Sequence, residues 1–107
     1  MSDTFKILVC AATVAVVLPA HAQMDQAQMA AAREKAQICV ACHGPDGNSQ
    51  NPDYPILAGQ TWRYIYIELK DFKAKRRTND AGNMTSVAAT LSEQDIENLS
   101  QYIGNLN

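Results

Sequence analysis

ICVACHGPDG, residues 38–47, sets two cysteines three apart with a histidine directly after the second. Three chemistries use such a spacing: a dithiol redox pair, part of a metal site, and covalent attachment of a c-type haem. The choice between them depends on what the rest of the chain can supply.

The start of the 107-residue chain changes that supply first. Lys6 is the only cation before an apolar run from Ile7 to Ala20, and Ala20-His21-Ala22 fits the small-x-small cleavage rule. Residues 1–22 therefore read as a cleaved secretory signal peptide, with 23–107 as the mature domain. The apolar run, about 14 residues, is short of the roughly 20 needed to span a bilayer. The expectation is export to the periplasm and no transmembrane segment in the mature chain. Maturation removes Cys10 and His21, leaving Cys39, Cys42 and His43. Net charge stays at −2, because Lys6 and Asp3 leave together. With no basic excess, nucleic acid is not expected as a partner.

Helical signals divide the mature chain. A first helix is expected from about Asp25 to Cys42, rich in alanine, glutamine and lysine. Gly44 and Pro45 stop it. Residues 44–59 hold PDGN, NPD and three prolines, and read as loop. A second helix is expected from about Thr61 to Lys75, where Trp62, Ile65, Leu69 and Phe72 recur at three and four. Thr78 to Leu91 reads as a second loop. A third helix opens at Ser92 with Asp95 as a capping box, and Ile96, Leu99, Tyr102 and Ile103 form its apolar face. The fold class is all-α with long loops. So few apolar residues make a poor core for a domain of this size, and a large apolar cofactor would complete it.

A zinc site needs four ligands, and the mature chain offers three within residues 39–43. A reactive dithiol sits at a helix N-terminus, where the dipole lowers the thiol pKa, yet this pair closes a helix. A disulfide across so short a loop gains little stability. Haem attachment explains more. On a helix Cys39, Cys42 and His43 share one side, so two thiols can meet one porphyrin edge while the imidazole reaches the iron.

No second histidine survives maturation, so the candidates for the other axial position are Met24, Met29 and Met84. Met84 is favoured. It lies beyond a helix long enough to wrap round the haem, whereas Met24 and Met29 precede the motif. Its bland alternative is a soft core filler. His43 and Met84 as metal ligands leave no open position and raise the reduction potential. The work expected of the chain is one-electron transfer rather than catalysis.

CVACHG at 39–44, PILAGQ at 55–60, TWRYIYIELKDF at 61–72 and Met84 followed by LSEQDIENLSQYI at 91–103 resemble a class I cytochrome c. The nearest pattern is that of the small bacterial c-four and c-five subgroups. The resemblance implies one haem c, joined through Cys39 and Cys42, with His43 proximal and Met84 distal. It also implies that the Pro55 carbonyl accepts a hydrogen bond from the proximal imidazole, that Gly59 lies where backbone passes close to the haem, and that the first and third helices cross at right angles. Ala31 and Ala32 stand where the family often has glycine at that crossing. Lys75 stands where the subgroup tends to have glycine, so the second helix is expected to be continued or shifted at its end. A single haem motif excludes the dihaem forms for this chain.

KDFKAKRR, residues 70–77, carries five cations and one anion, leaving the rest of the mature chain at −6. It reads as cations complementing a helix C-terminus. Steering toward an acidic partner, or propionate binding by Arg76 or Arg77, are the alternatives. Trp62, Tyr64 and Tyr66 read as core and pocket wall. The expected partners are redox proteins: a donor dehydrogenase or cytochrome complex, and an acceptor oxidase or reductase. The leading expectation is a shuttling carrier. The alternatives are a haem subunit permanently docked on a larger dehydrogenase or oxidase, and an open-site haem that binds gas or peroxide if Met84 does not ligate.

Overall fold

The computed structural model describes residues 9–16 and 24–107. Most of the expected signal peptide, with its cleavage site at Ala20-His21-Ala22, lies outside the described residues. Among those described there are five helices and no strand: α1 (Gln26–Lys35), α2 (Gln37–His43), α3 (Trp62–Lys73), α4 (Asn83–Ala89) and α5 (Glu93–Gly104). None is long and apolar enough to cross a membrane. The class is all-α, as expected.

Capping chemistry fixes three of the helix starts. Asp25 accepts from the Gln28 backbone N–H at 2.7 Å while the Gln28 side chain accepts from the Asp25 N–H at 3.0 Å. Thr61 Oγ1 accepts from the Tyr64 N–H at 3.2 Å. Ser92 and Asp95 form the expected reciprocal box, at 3.0 and 2.9 Å. Each satisfies backbone donors that a helix start leaves without partners.

The single helix expected over 25–42 is two. The chain bends at Ala36, whose carbonyl accepts the Cys39 N–H at 2.9 Å, a bond of the tighter three-residue kind. The Gln37 side-chain amide donates to the Arg33 carbonyl at 3.2 Å. Alanine-rich composition favours helix on both sides of the bend and does not mark it.

α3 packs on α5, and α1 packs on α5 from another side. Ile65, Leu69 and Phe72 of α3 and Ile96, Leu99 and Ile103 of α5 are buried, with Ala36 and Leu91 beside them. Ala32 is the buried residue of α1. Trp62 departs from its expected place in the stripe and stands 40 % exposed, while its backbone passes against the end of α5. A Cβ on Gly104 would lie 2.7 Å from the Trp62 nitrogen and 2.8 Å from its Cα, so only glycine permits that approach. Ser100, fully buried, donates to the Ile96 carbonyl at 2.6 Å, so its hydroxyl carries no desolvation penalty.

Residues 83–89, expected as loop, form α4. The segment lacks an apolar period, and tertiary contacts with α3 make it helical instead. Ala88 is fully buried there, and Ser86 returns both its N–H and its hydroxyl to the Gly82 carbonyl, at 3.0 and 2.7 Å.

Candidate functional site

α2 ends on the motif. Gly44 takes φ 83° and returns its N–H to the Val40 carbonyl at 2.9 Å. A Cβ there would stand 2.9 Å from the Asn48 carbonyl oxygen, so the turn needs glycine twice over, for its backbone and for its neighbour. The following loop folds back on itself. The Gly47 carbonyl accepts from Leu57 at 2.8 Å and Ala58 at 3.1 Å. Asp46 Oδ1 accepts the Asn48 N–H, which holds its carboxyl below the usual range.

That fold-back brings Pro55 to the motif. His43 is buried, and its Nδ1 lies 2.8 Å from the Pro55 carbonyl oxygen. A carbonyl only accepts, so Nδ1 carries the proton and donates. In the neutral ring this leaves the lone pair on Nε2, the form that binds a metal. The Tyr54 ring meets the imidazole edge-on at 6.4 Å between centroids. Sequence reasoning missed Tyr54, and its only signal was its place directly before Pro55.

Cys39 is half-buried, Cys42 is exposed, and both are free thiols. Burial pushes the Cys39 thiol above its ordinary pKa, and the neighbouring Cys42 adds to the rise. A redox dithiol needs the opposite shift, toward thiolate. Among the described residues no three His, Cys, Asp or Glu side chains gather as a metal-binding group. A small open pocket beside the motif is lined by Cys39, His43, Leu57, Ile103 and Leu106 among others.

Met84 lies in the first turn of α4, half-buried, and packs against the main core cluster. Met24 precedes α1 and Met29 lies on it, both half-buried. Gly59 takes φ 82°, donates to the Leu106 carbonyl at 3.1 Å and has open space where a Cβ would stand.

The family model for cytochrome c matches residues 31–107, covering the motif, Pro55, Met84 and all of α2 to α5. The chain belongs to the cytochrome c family. It is 43 % identical over 83 residues to cytochrome c4 of Pseudomonas aeruginosa, covering 78 % of this chain and 39 % of that protein. Against cytochrome c-554(548) of Halomonas halodenitrificans it is 39 % identical over 74 residues, 68 % of this chain and 89 % of the relative. The crystal structure of reduced recombinant cytochrome c4 from Pseudomonas stutzeri superposes with a TM-score of 0.68 at 38 % identity, over 78 % of this chain and 50 % of that one. The chain thus spans about two fifths of the cytochrome c4 sequences it matches.

Cytochrome c membership implies haem c, and the donor set here fits it. Two free thiols one helical turn apart, a buried imidazole with one nitrogen already committed, and a half-buried thioether are the groups that haem c uses.

The basic stretch is largely spoken for. Lys70 pairs with Glu93 at 2.5 Å, Arg76 with Asp71 at 2.8 Å, and Arg77 with Glu68. Lys73 Nζ donates to the Leu91 carbonyl at 2.5 Å. Arg76 and Arg77, the propionate ligands entertained from sequence, each pair with a carboxylate of α3.

Proposed function

We propose that the chain is a one-electron carrier built on a single haem c, exported to the periplasm with residues 1–22 removed. Bound haem supplies an iron centre that changes by one electron. Cys39 and Cys42 would hold it covalently, and His43 would bind the iron through Nε2. The observation that carries the reading is the 2.8 Å contact between His43 Nδ1 and the Pro55 carbonyl. It fixes the tautomer, aims the ring and makes Nε2 a stronger donor. Met84 would provide the distal ligand, a neutral thioether that favours the reduced state and raises the potential. With both axial positions taken by the chain, no position is left for a substrate, which supports a carrier over an enzyme.

Purified mature protein tests this directly. The haem should stay with the chain through denaturation, and the oxidised protein should show the far-red absorption of methionine sulfur on iron. Haem released by denaturant would remove the attachment claim.

A second reading is favoured by two relatives, both thiosulfate dehydrogenase electron acceptors. The thiosulfate dehydrogenase electron acceptor of Stutzerimonas stutzeri is 33 % identical over 69 residues. This chain would then accept electrons from a dehydrogenase, as a dedicated or permanently docked subunit. Sedimentation of the protein from its native source separates the two readings: a free carrier runs at its own mass, a subunit with its enzyme.

A further inference from the structure

Met84 reaches its place over a backbone that ought to resist. The chain leaves α3 through Lys75 at φ 58° and enters α4 through Ala81 at φ 50° and Gly82 at φ 81°. Left-handed conformations at the lysine and the alanine are unfavourable, so side-chain bonds have to hold the segment. Three residues make them: Arg76 through its pair with Asp71 at 2.8 Å, Arg77 and Asp80. Arg77, half-buried, pairs with Glu68, lies 4.7 Å from the Phe72 ring centroid and donates through Nε to Asn79 Oδ1 at 3.0 Å. These bonds tie the segment to α3. Asp80 then ties it to α4. Its main-chain carbonyl accepts the Asn83 N–H at 3.0 Å, and its carboxylate Oδ2 accepts the Thr85 N–H at 2.6 Å. The two bonds bracket Met84 in sequence, one on each side.

We propose that Asp80 is a positioning residue for Met84: its carboxylate pins the first turn of α4 and so fixes where the thioether sits. Asp80 touches no iron ligand side chain and acts only through that turn. The proposal rests on Met84 being the distal ligand. The same carboxylate would therefore decide how readily Met84 yields to a competing ligand.

Imidazole binding to the oxidised, haem-loaded protein, followed by visible absorption, measures that yielding. Asp80→Ala should bind imidazole about fivefold more tightly, the expected consequence of losing one capping acceptor. Asp80→Asn keeps an acceptor oxygen and should stay within about twofold of the parent. Ser92→Ala removes a comparable cap from α5, so it should lower thermal stability yet leave imidazole affinity within about twofold. Unchanged affinity in Asp80→Ala, or an equal shift in Ser92→Ala, overturns the proposal. If Asp80→Ala does not accumulate as a haem protein, Asp80→Glu displaces the acceptor by one methylene and decides in its place: tighter imidazole supports, unchanged imidazole overturns. Met84→Ala separates the two layers. A far-red band retained in Met84→Ala removes the ligand reading and the proposal with it. A band lost there, with Asp80→Ala binding imidazole like the parent, removes only the positioning role.

Discussion

Two stretches of this chain would supply the two sides of the iron, and they differ in how they are tied to the rest of the fold. The motif side, residues 37–59, is contiguous and joins its ends by backbone bonds, Gly44 to Val40 and Leu57 and Ala58 to Gly47, with the His43 ring donating to the Pro55 carbonyl. Its left-handed positions are all glycine. The Met84 side, residues 74–91, adds to its backbone bonds a set of side-chain ties to its surroundings: Arg77 on Glu68, Lys73 on the Leu91 carbonyl, Asp80 on Thr85. Its left-handed positions include Lys75 and Ala81. A backbone-closed loop tolerates side-chain change, whereas a loop that also relies on side-chain ties over an unfavourable backbone opens first. The distal half should therefore be the adjustable one.

The largest test asks whether either half stands without the cofactor. Cys39→Ala with Cys42→Ala should leave a chain with no cooperative thermal transition in circular dichroism. Among the described residues the buried apolar set is ten, three of them alanines, which is thin for a domain of this size. A cooperative helical melt of that variant would mean the five helices are self-sufficient. The next test removes only the distal side. Met84→Ala should keep its haem attached and remain helical while losing the far-red band, because nothing on the motif side passes through residue 84. Loss of covalent haem together with the band would show that the halves are not separable.

Smaller effects probe the backbone. Gly104→Ala pushes a Cβ to within 2.8 Å of Trp62 backbone atoms, and two packed helices have to part to relieve it. A loss of about 3 kcal/mol in denaturant unfolding is expected. Gly44→Ala meets both an unfavourable φ and the Asn48 carbonyl, for about 2 kcal/mol. The Gly44 change should be felt at the motif, so a variant that melts normally yet attaches haem poorly would place the turn's importance in attachment rather than stability.

The same contrast explains what the sequence revealed. α3 and α5 were legible because Ile65, Leu69 and Phe72, and Ile96, Leu99 and Ile103, repeat at helical spacing behind Thr61 and Ser92 caps. The motif side was legible because its chemistry is local, with the proposed ligand histidine adjacent to a motif thiol. The bend at Ala36 and the helix over 83–89 were not. Ala36 is a strong helix former at a break, and α4 owes its helicity to packing on α3 and to a carboxylate three residues before its start. Arg77 read as one more cation of a run complementing a helix C-terminus, because its partner Glu68 lies nine residues away and nothing in the spacing announces the pair.

Lys75 offers the finest comparison with Gly44, since both end a helix in the left-handed region, at φ 58° and φ 83°. One position has the residue that suits it and the other does not. Gly44→Ala should cost stability; Lys75→Gly should add it. Leaving a left-handed lysine costs the fold about 1–2 kcal/mol, and glycine recovers that at the expense of about 0.5–1 kcal/mol of extra chain entropy when unfolded. The net gain is about 0.5 kcal/mol, or roughly 2–4 °C in Tm for a domain of this length. The bonds that hold segment 74–82 do not involve the Lys75 side chain, since Arg76 and Arg77 both donate their N–H groups to the Asp71 carbonyl, at 2.8 and 3.3 Å, and Asp80 lies further along. Strain at Lys75 loads those bonds, so relieving it should also weaken imidazole binding slightly, opposite in sign to Asp80→Ala. A Lys75→Gly protein that melted lower than the parent would mean that the lysine stem packs there to more effect than its backbone costs, and the two helix ends would no longer differ in the way proposed.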